Sequence, residues 1–276
     1  MNLQHQYWYF PSVLSDRFCD DVLKHGLAHQ DSVALTGECD DELASNGEVS
    51  KDTLKNIQKK RKSNIVWMSE NWIYKEIQPY VHWANENAGW NFQWDWTENC
   101  QFTKYEPGQF YGWHADGSSD WPNMYKPVLK GKDGKWKICD FIPNEDKSDW
   151  IYEADENGNR YPKVIMSDKN CPVRKKKDLW GNETPISGFT DNRFYWGKIR
   201  KLSMTLNLTE PDQYTGGDLK FDFGPHAGRG RFKTCKEIRP RGSIIVFPSF
   251  IHHQVTPVTE GTRYSLVMWS LGKPFR

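Results

Sequence analysis

The sequence lacks several features that would assign it quickly to a class. Its six cysteines are widely scattered and form no C-x-x-C pair, which argues against a zinc ribbon or a disulfide scaffold and favours reduced thiols. No apolar run approaches the roughly 20 residues of a membrane span, and the N-terminus lacks the basic and apolar regions of a signal peptide. These absences lead us to expect a soluble, cytoplasmic protein without a membrane partner.

Neither sign of charge is in excess. Lys and Arg number 37 and Asp and Glu 36, so the net charge is +1. A protein devoted to nucleic acid would favour a clear basic excess, so the balance argues against a nucleic-acid partner. The basic run KKRK at 59–62 is expected to be a solvated face. The sequence shows no internal repeat, and it does not indicate an oligomeric state.

What the sequence does contain is a helical N-terminal part. Ser15 is placed to cap an amphipathic helix whose apolar residues recur with a period of 3.6. A second apolar stripe predicts a helix over 71–88, kinked or split at Pro79 and ended by Gly89. The polar stretch between the two helices is read as a solvated connection.

From residue 93 onward, short runs of β-branched and aromatic residues alternate with Gly, Pro and Asn turns. The predicted strands are 101–105, 112–116, 202–208, 218–223, 243–247 and 264–270. Strands at such spacing, without intervening helices, predict an antiparallel sandwich or jelly roll. A long polar and aromatic insertion at about 118–198 interrupts them, and insertions of this length are usually functional or disordered. We expect one mainly β domain over 1–276, with 1–92 as helical support and 93–276 as the core.

The first residues that indicate chemistry are His114 and Asp116 in FYGWHADG. Two residues apart on a strand, they would point to the same face of the sheet. Together with one more histidine they would form the 2-His-1-carboxylate triad typical of non-haem Fe(II), which leaves coordination positions open. His252 and His253 follow an apolar run and are the leading choices for that histidine. The weaker choices lie in helical, terminal or Gly-rich contexts: His5, His25, His29, His82 and His226.

The order of the surrounding motifs resembles a known family. YEPGQFY precedes the pair, and RKLSMTLNL, GGDLKF and RPRGSIIVFPSFIHHQVTPVTEGTRYSLVMW follow it. This order is similar to that of the prolyl 4-hydroxylase-like Fe(II)/2-oxoglutarate-dependent dioxygenases, which include the HIF prolyl hydroxylases and the bacterial PKHD-type hydroxylases. The resemblance covers about 101–117 and 200–271. It implies a double-stranded β-helix core.

The resemblance also implies a ligand set. His114 and Asp116 would be the first two ligands. The distal histidine of the family stands four residues before a Pro-Val pair and ten before a basic residue, which selects His253 over His252. The basic residue, Arg263, would hold the far carboxylate of 2-oxoglutarate, a role that suits a planar guanidinium.

Further pocket residues follow from the same alignment of motifs. Tyr105 opens the Y-x-P-G turn that lies near the cosubstrate in the family. Ser265 would share a strand face with Arg263, and Thr205 and Asn207 share one face of the MTLNL strand, so these three are expected to help form the pocket. Weaker candidates for substrate contact, which packing or a loop position explains more simply, are Tyr111, Trp113 and His226.

The implied reaction is hydroxylation of an unactivated C–H bond, coupled to decarboxylation of 2-oxoglutarate to succinate and CO2. It would use Fe(II), O2 and, as a candidate reductant, ascorbate. Related halogenases lack the carboxylate that stands here as Asp116, so its presence favours hydroxylation. The expected substrate is a prolyl residue in a peptide or protein.

Two alternatives stay open. The same oxygenase residues would serve a free amino acid, another side chain or a small metabolite. An alternative of another class is a non-catalytic β-barrel binding module, although such a module would need neither the full ligand set nor Arg263.

Overall fold

The computed structural model describes residues 3–36, 49–117, 194–195 and 197–275, together with short strands between residues 126 and 190. The α-helices are α1 (Asp16–Leu27), α2 (Lys51–Lys60) and α3 (Asn71–Asn87), and 3-10 turns lie at Pro225–Gly230 and Lys236–Ile238. The Ser15 hydroxyl accepts a hydrogen bond from the backbone N–H of Phe18 at 3.2 Å, so the predicted N-cap is present.

Most of the chain that follows is built from strands. The first group comprises β1 (Trp8–Phe10), β2 (Ser32–Val33), β3 (Arg61–Lys62), β4 (Asn64–Met68), β5 (Trp96–Thr97), β6 (Cys100–Tyr105) and β7 (Phe110–His114). The second comprises β8 (Ile199–Asn207), β9 (Tyr214–Gly216), β10 (Leu219–Asp222), β11 (Phe232–Thr234), β12 (Ile244–Pro248), β13 (His252–Val255), β14 (Val258–Gly261) and β15 (Arg263–Gly272). Short strands between these groups are Lys126–Lys130, Trp136–Ile138, Tyr152–Ala154, Arg160–Pro162, Lys175–Lys177, Glu183–Pro185 and Phe189–Thr190.

Two sheets form the core. The larger has the order β1-β12-β8-β15-β6-β4-β2, with β5 paired to β15, and the smaller has the order β11-β10-β13-β7-β3. Strands β6, β8, β12 and β15 lie in the larger sheet, and β7, β10, β11 and β13 in the smaller one, so the chain passes back and forth between the sheets. This is the double-stranded β-helix, and the predicted fold class is confirmed.

Helices α1 and α3 cover the outer face of the larger sheet. A side chain on Gly26 of α1 would meet the ring of Phe102 on β6 at 2.8 Å, so the helix and the sheet touch closely there. Helix α3 contacts β1 and β12. The inner face of the larger sheet, turned away from these helices, is therefore the one that faces the smaller sheet.

Several local predictions differ from the structure. Helix α3 runs without interruption through Pro79, so the predicted split does not occur. Gly89 follows its end with φ +68°, as a glycine terminator requires. The polar stretch at about 31–63, expected to be solvated, contains α2 and β3, and β3 pairs with β7 in the smaller sheet. Most of the insertion at 118–198 lies outside the described residues.

The described residues divide into two units. One comprises Met1–Leu35, Leu54–Ser118 and Arg200–Gly272 and holds the candidate site; the other comprises Thr36–Thr53, Ser119–Ile199 and Lys273–Arg276. Within the described ranges, no helix combines the length and the apolar character needed to cross a bilayer. Cys19, Cys100 and Cys235 are buried free thiols.

Candidate active site

Three side chains from two distant segments of the sequence meet between the sheets. His114 ends β7, Asp116 follows two residues later, and His253 lies on β13, directly opposite His114 in the strand pairing. Their ligand atoms all lie within 4.8 Å of one another. His114 Nε2 is 3.4 Å from Asp116 Oδ1, and His253 Nε2 is 3.6 Å from Asp116 Oδ2. The neighbouring His252 is exposed.

An irregularity in strand pairing sets the direction of His114. His253 pairs with His114 and Val255 with Tyr111, so three steps along β7 face two steps along β13. This bulge turns both Tyr111 and His114 toward the cavity, where their rings stack with centroids 3.4 Å apart. Each imidazole is then oriented by a backbone carbonyl two residues earlier: His114 Nδ1 is 2.7 Å from the Gly112 oxygen, and His253 Nδ1 is 2.9 Å from that of Ile251.

Asp116 lies just beyond the end of β7 and is held by the larger sheet. The Ser203 hydroxyl donates a hydrogen bond to its Oδ2 at 2.7 Å and lies 2.9 Å from the Ser249 hydroxyl. The next residue, Gly117, has to be a glycine, because a Cβ there would stand 2.7 Å from the backbone oxygen of Arg200. The carboxylate is thus positioned by β8 rather than by the strand that carries His114.

A buried ion pair stands beside this carboxylate. Arg200 binds Glu98 through Nε and Nη2, at 2.5 and 2.6 Å, and its guanidinium lies 4.0 Å from the ring centroid of Trp269. Its Nη1 also reaches the backbone oxygen of Asp116 at 3.4 Å. The pair therefore supports the backbone that carries the carboxylate.

Burial and charge favour the ionisation states that bind metal. Burial lowers the pKa of His253 to about 4, since it disfavours the imidazolium, and the nearby His114 acts in the same direction. For Asp116, burial acts to raise the pKa, but His253, His114 and Arg200 outweigh it, so the pKa lies below its ordinary value. The site thus offers a neutral imidazole and a carboxylate near neutral pH.

The triad lines one end of a cavity between the two sheets. Both sheets contribute to its wall, as expected for a double-stranded β-helix. The lining residues are Gln101, Tyr105, Tyr111, His114, Asp116, Met204, Thr205, Leu219, Phe247, His253, Val255, Arg263, Ser265, Val267 and Trp269.

A buried positive charge lines the same cavity. Arg263 opens β15, is 2% exposed and pairs with Tyr105 on β6. Its Nη1 lies 3.4 Å from the Ser265 hydroxyl, and its guanidinium carbon lies 5.5 Å from the centroid of the Tyr105 ring. Among the residues that the structure describes, no carboxylate forms an ion pair with it. A buried charge is costly unless it is paired, so this position suits an anionic ligand.

A second buried arginine was missed by the sequence analysis. Arg61, in the run read as a solvated face, is 5% exposed, whereas the side chains of Lys59, Lys60 and Lys62 are exposed as expected. Its guanidinium lies 4.4 Å from the Tyr111 ring centroid, its Nε donates to the Ser63 hydroxyl at 3.1 Å, and its Nη2 is buried without a hydrogen-bond partner. Pairing of Arg61 with Tyr111 across β3 and β7 explains its burial.

The donor set fits a divalent metal ion. With metal–ligand bonds of about 2.1 Å, adjacent corners of an octahedron lie about 3 Å apart. The measured separations of 3.4 and 3.6 Å are close to this value. Two imidazoles and one carboxylate are the ligands of the Fe(II) facial triad, which leaves further positions for exogenous ligands.

The structure places the remaining predicted residues unequally. Tyr105, Thr205, Ser265 and Tyr111 line the cavity. Asn207 does not, and this corrects the expectation: its amide donates to the carbonyls of Thr209 and Arg239, so it secures the end of β8.

Two weaker predictions also fall outside the cavity. Trp113 is 44% exposed on the outer face of the smaller sheet, because the bulge turns its neighbours inward. His226 is exposed in a 3-10 turn and does not line the cavity. Conversely, Gln101 and Trp269 line the cavity, and their strand-face periodicity with Tyr105 and Arg263 was the available signal.

Residues 190–271 match the family model described as the 2OG-Fe(II) oxygenase superfamily. The predicted resemblance is confirmed. The matched range contains His253 and Arg263 but neither His114 nor Asp116, so the folded structure brings the other two ligands to the matched part.

Proteins similar to this matched region include PKHD-type hydroxylases. A PKHD-type hydroxylase of Methylobacterium nodulans is 41% identical over 71 residues, which are 25% of this chain and 27% of the relative. One from Hyphomonas neptunium is 37% identical over 87 residues, 32% of this chain and 34% of the relative. The chain thus matches about a quarter to a third of the length of these curated relatives.

Among solved structures, the chain is similar to the viral collagen prolyl hydroxylase of Paramecium Bursaria Chlorella virus-1 in complex with 2OG. The TM-score is 0.49 and the sequence identity 16%, over 98% of this chain and 97% of the other.

Proposed function

We propose that this chain is an Fe(II)- and 2-oxoglutarate-dependent hydroxylase. The observation that carries the proposal is the presence, in one cavity, of the facial triad and of the buried guanidinium of Arg263, which forms no ion pair among the described residues. The first supplies a metal site with open positions, and the second supplies a partner for the far carboxylate of a dicarboxylic acid. A binding module without catalysis would need neither.

The chain's own residues would divide the work. His114, Asp116 and His253 would hold Fe(II), and Arg263 with Ser265, Thr205 and Tyr105 would orient 2-oxoglutarate. Apolar wall residues would exclude water from the reacting groups: Leu219, Phe247 and Val255. Fe(II), when bound, supplies the activation of O2 that couples decarboxylation of the cosubstrate to hydroxylation. Ascorbate would serve as the reductant that keeps the metal in its ferrous form.

The proposed substrate is a prolyl residue in a peptide. Near the triad, the cavity wall carries two large aromatic rings, Tyr111 and Trp269. Burial raises the pKa of Tyr111 to about 12, so its phenol stays neutral beside the triad. Proline packs well against aromatic surfaces, so these walls suit a pyrrolidine ring beside the metal.

The oxygenase proposal is tested under anaerobic conditions. Protein mixed with Fe(II) and 2-oxoglutarate should develop the weak visible charge-transfer band of a chelated keto acid. An Asp116→Ala control should lose it. The absence of a band in the native protein, or the same band in the control, would contradict the proposal.

The prolyl substrate is tested separately. In the presence of O2 and ascorbate, succinate should form together with a gain of one oxygen atom on proline-containing peptides, measured by mass spectrometry. Turnover on free amino acids with silence on every peptide would assign the enzyme to another substrate class while leaving the oxygenase reaction intact.

A further inference from the structure

A second group of potential metal ligands lies on the outer side of the larger sheet, where the end of α1 meets the start of α3. His25 is in the last turn of α1, His29 follows that helix, and Glu70 immediately precedes α3. None of the three lines the cavity, so the proposed oxygenase reaction does not use them.

His25 and Glu70 have the spacing of two metal ligands but not the direction of a hydrogen bond. His25 Nε2 lies 2.9 Å from Glu70 Oε1, yet this nitrogen is buried and makes no hydrogen bond of acceptable geometry. Two ligand atoms of one metal ion, with bonds of about 2.1 Å, lie about 3 Å apart and direct their lone pairs at the ion rather than at each other. The separation is therefore the one expected for two groups that share a cation.

Two backbone groups orient the other atoms of this group. Glu70 Oε2 accepts a hydrogen bond from the backbone N–H of Ser69 at 2.9 Å, which leaves Oε1 turned to His25. His29 Nδ1 lies 2.8 Å from the backbone oxygen of His25. A carbonyl oxygen only accepts, so the proton of His29 is on Nδ1 and the lone pair of Nε2 is available to a metal. Partners of this kind orient the ligands of metal sites.

The two imidazoles are arranged like those of the triad. The ring centroids of His25 and His29 are 4.7 Å apart with 61° between the planes, and those of His114 and His253 are 4.2 Å apart with 54°. Residues four apart at a helix end lie on the same side, so both rings reach the position beside Glu70. His29 is exposed, so its ring has room to turn Nε2 toward an ion held by His25 and Glu70.

We propose that His25, His29 and Glu70 bind a Zn(II) ion that joins α1 to α3. Imidazole nitrogen and carboxylate oxygen are ligands of Zn(II), and three protein groups with one water complete its four-coordinate shell. The Trp72 ring meets His25 edge to face, with centroids 6.2 Å apart, and closes one side of the site. Because the ion bridges two helices, it stabilises the folded state and takes no part in the reaction in the cavity.

The test counts Zn(II) bound to the metal-free protein by calorimetric titration. The double variant His114→Ala/His253→Ala, which lacks the triad histidines, should bind one ion per chain. Adding His25→Ala to it should abolish this binding, and adding His29→Ala should weaken it about tenfold. His82→Ala is the matched control, because His82 is an exposed histidine of α3 outside the group, and it should change nothing.

Thermal unfolding gives a second readout. Zn(II) should raise the melting temperature of the triad-free protein and of its His82→Ala derivative but not of its His25→Ala derivative, because only a bound ion joins the helices. In the native background, the native protein should bind one more Zn(II) than His25→Ala, a difference that depends neither on the folding of the triad variant nor on the oxygenase assignment. No binding by a triad-free protein with native circular dichroism, or equal binding with and without His25, would overturn the inference.

Discussion

The buried polar groups at the two ends of the cavity, the triad at one and Arg263 at the other, differ in how many protein partners they have. At the metal end, the ligand side chains are already held by protein groups: each imidazole has a backbone carbonyl partner, and Asp116 accepts from Ser203. At the other end, the guanidinium of Arg263 has a long contact with the Ser265 hydroxyl and, among the described residues, no carboxylate. We infer that the metal end is positioned before a metal binds and that the Arg263 end is prepared for an anionic ligand.

This difference separates two kinds of binding energy. The imidazoles and the carboxylate are already held by hydrogen bonds, so they lose little conformational freedom when a metal binds. The same hydrogen bonds tune the basicity of the ligand atoms. An unpaired buried charge instead costs free energy until an anion neutralises it. Substitutions at the metal end should therefore act on metal affinity, and substitutions at the far end on cosubstrate affinity.

The largest effect is expected for the paired histidines. His253→Ala removes one of the three proposed metal ligands and should abolish both the Fe(II)-dependent charge-transfer band and succinate formation. His252→Ala should keep most of both, because that side chain is exposed on the opposite face of β13. Metal binding in His253→Ala together with its loss in His252→Ala would reverse the ligand assignment.

At the far end, Arg263→Gln should raise the KM for 2-oxoglutarate about 100-fold, since it removes a charged partner from a buried ion pair. The KM of Arg263→Lys for 2-oxoglutarate should lie between those of Arg263→Gln and the native protein, because lysine keeps the charge but loses the bidentate geometry. Fe(II) affinity, measured without cosubstrate, should stay unchanged.

The melting temperature of the ligand-free Arg263→Gln variant offers a second readout. Removing an unpaired buried charge should leave that temperature unchanged or raise it. A fall in melting temperature with an unchanged KM would show that Arg263 supports the fold and not the cosubstrate.

Six of the core strands could be predicted from the sequence, but β4 and β13 could not. The resemblance supplied Tyr105 and Arg263, and period-two patterns added Ser265 and Thr205; the structure has all four in one cavity. These patterns are local, so they are visible in any window of the sequence. The double-stranded β-helix core was predicted from the order of the motifs shared with the resembled family.

Features that depend on pairing between residues far apart in the sequence could not be predicted from the sequence. The bulge that turns both Tyr111 and His114 inward exists only in the pairing with β13, which is about 140 residues away in the chain. Arg61 sits in a basic run that is solvated at its other positions, and its burial follows from the pairing of β3 with β7. Asn207 was correctly placed on a strand, but its side chain donates a hydrogen bond to the distant Arg239 carbonyl and so does not line the cavity.

The smallest expected effects come from two serines, one at each end of the cavity. Ser203→Ala removes the hydrogen bond to Asp116 Oδ2 and should weaken Fe(II) binding about tenfold, with little change in the KM for 2-oxoglutarate. Ser265→Ala removes the weaker contact at 3.4 Å and should raise that KM about threefold, with Fe(II) affinity unchanged. Metal titration and steady-state kinetics on the same two variants measure both quantities. If each serine altered both affinities equally, the two ends would be one coupled site, and the division between a prepared end and a ligand-completed end would fail.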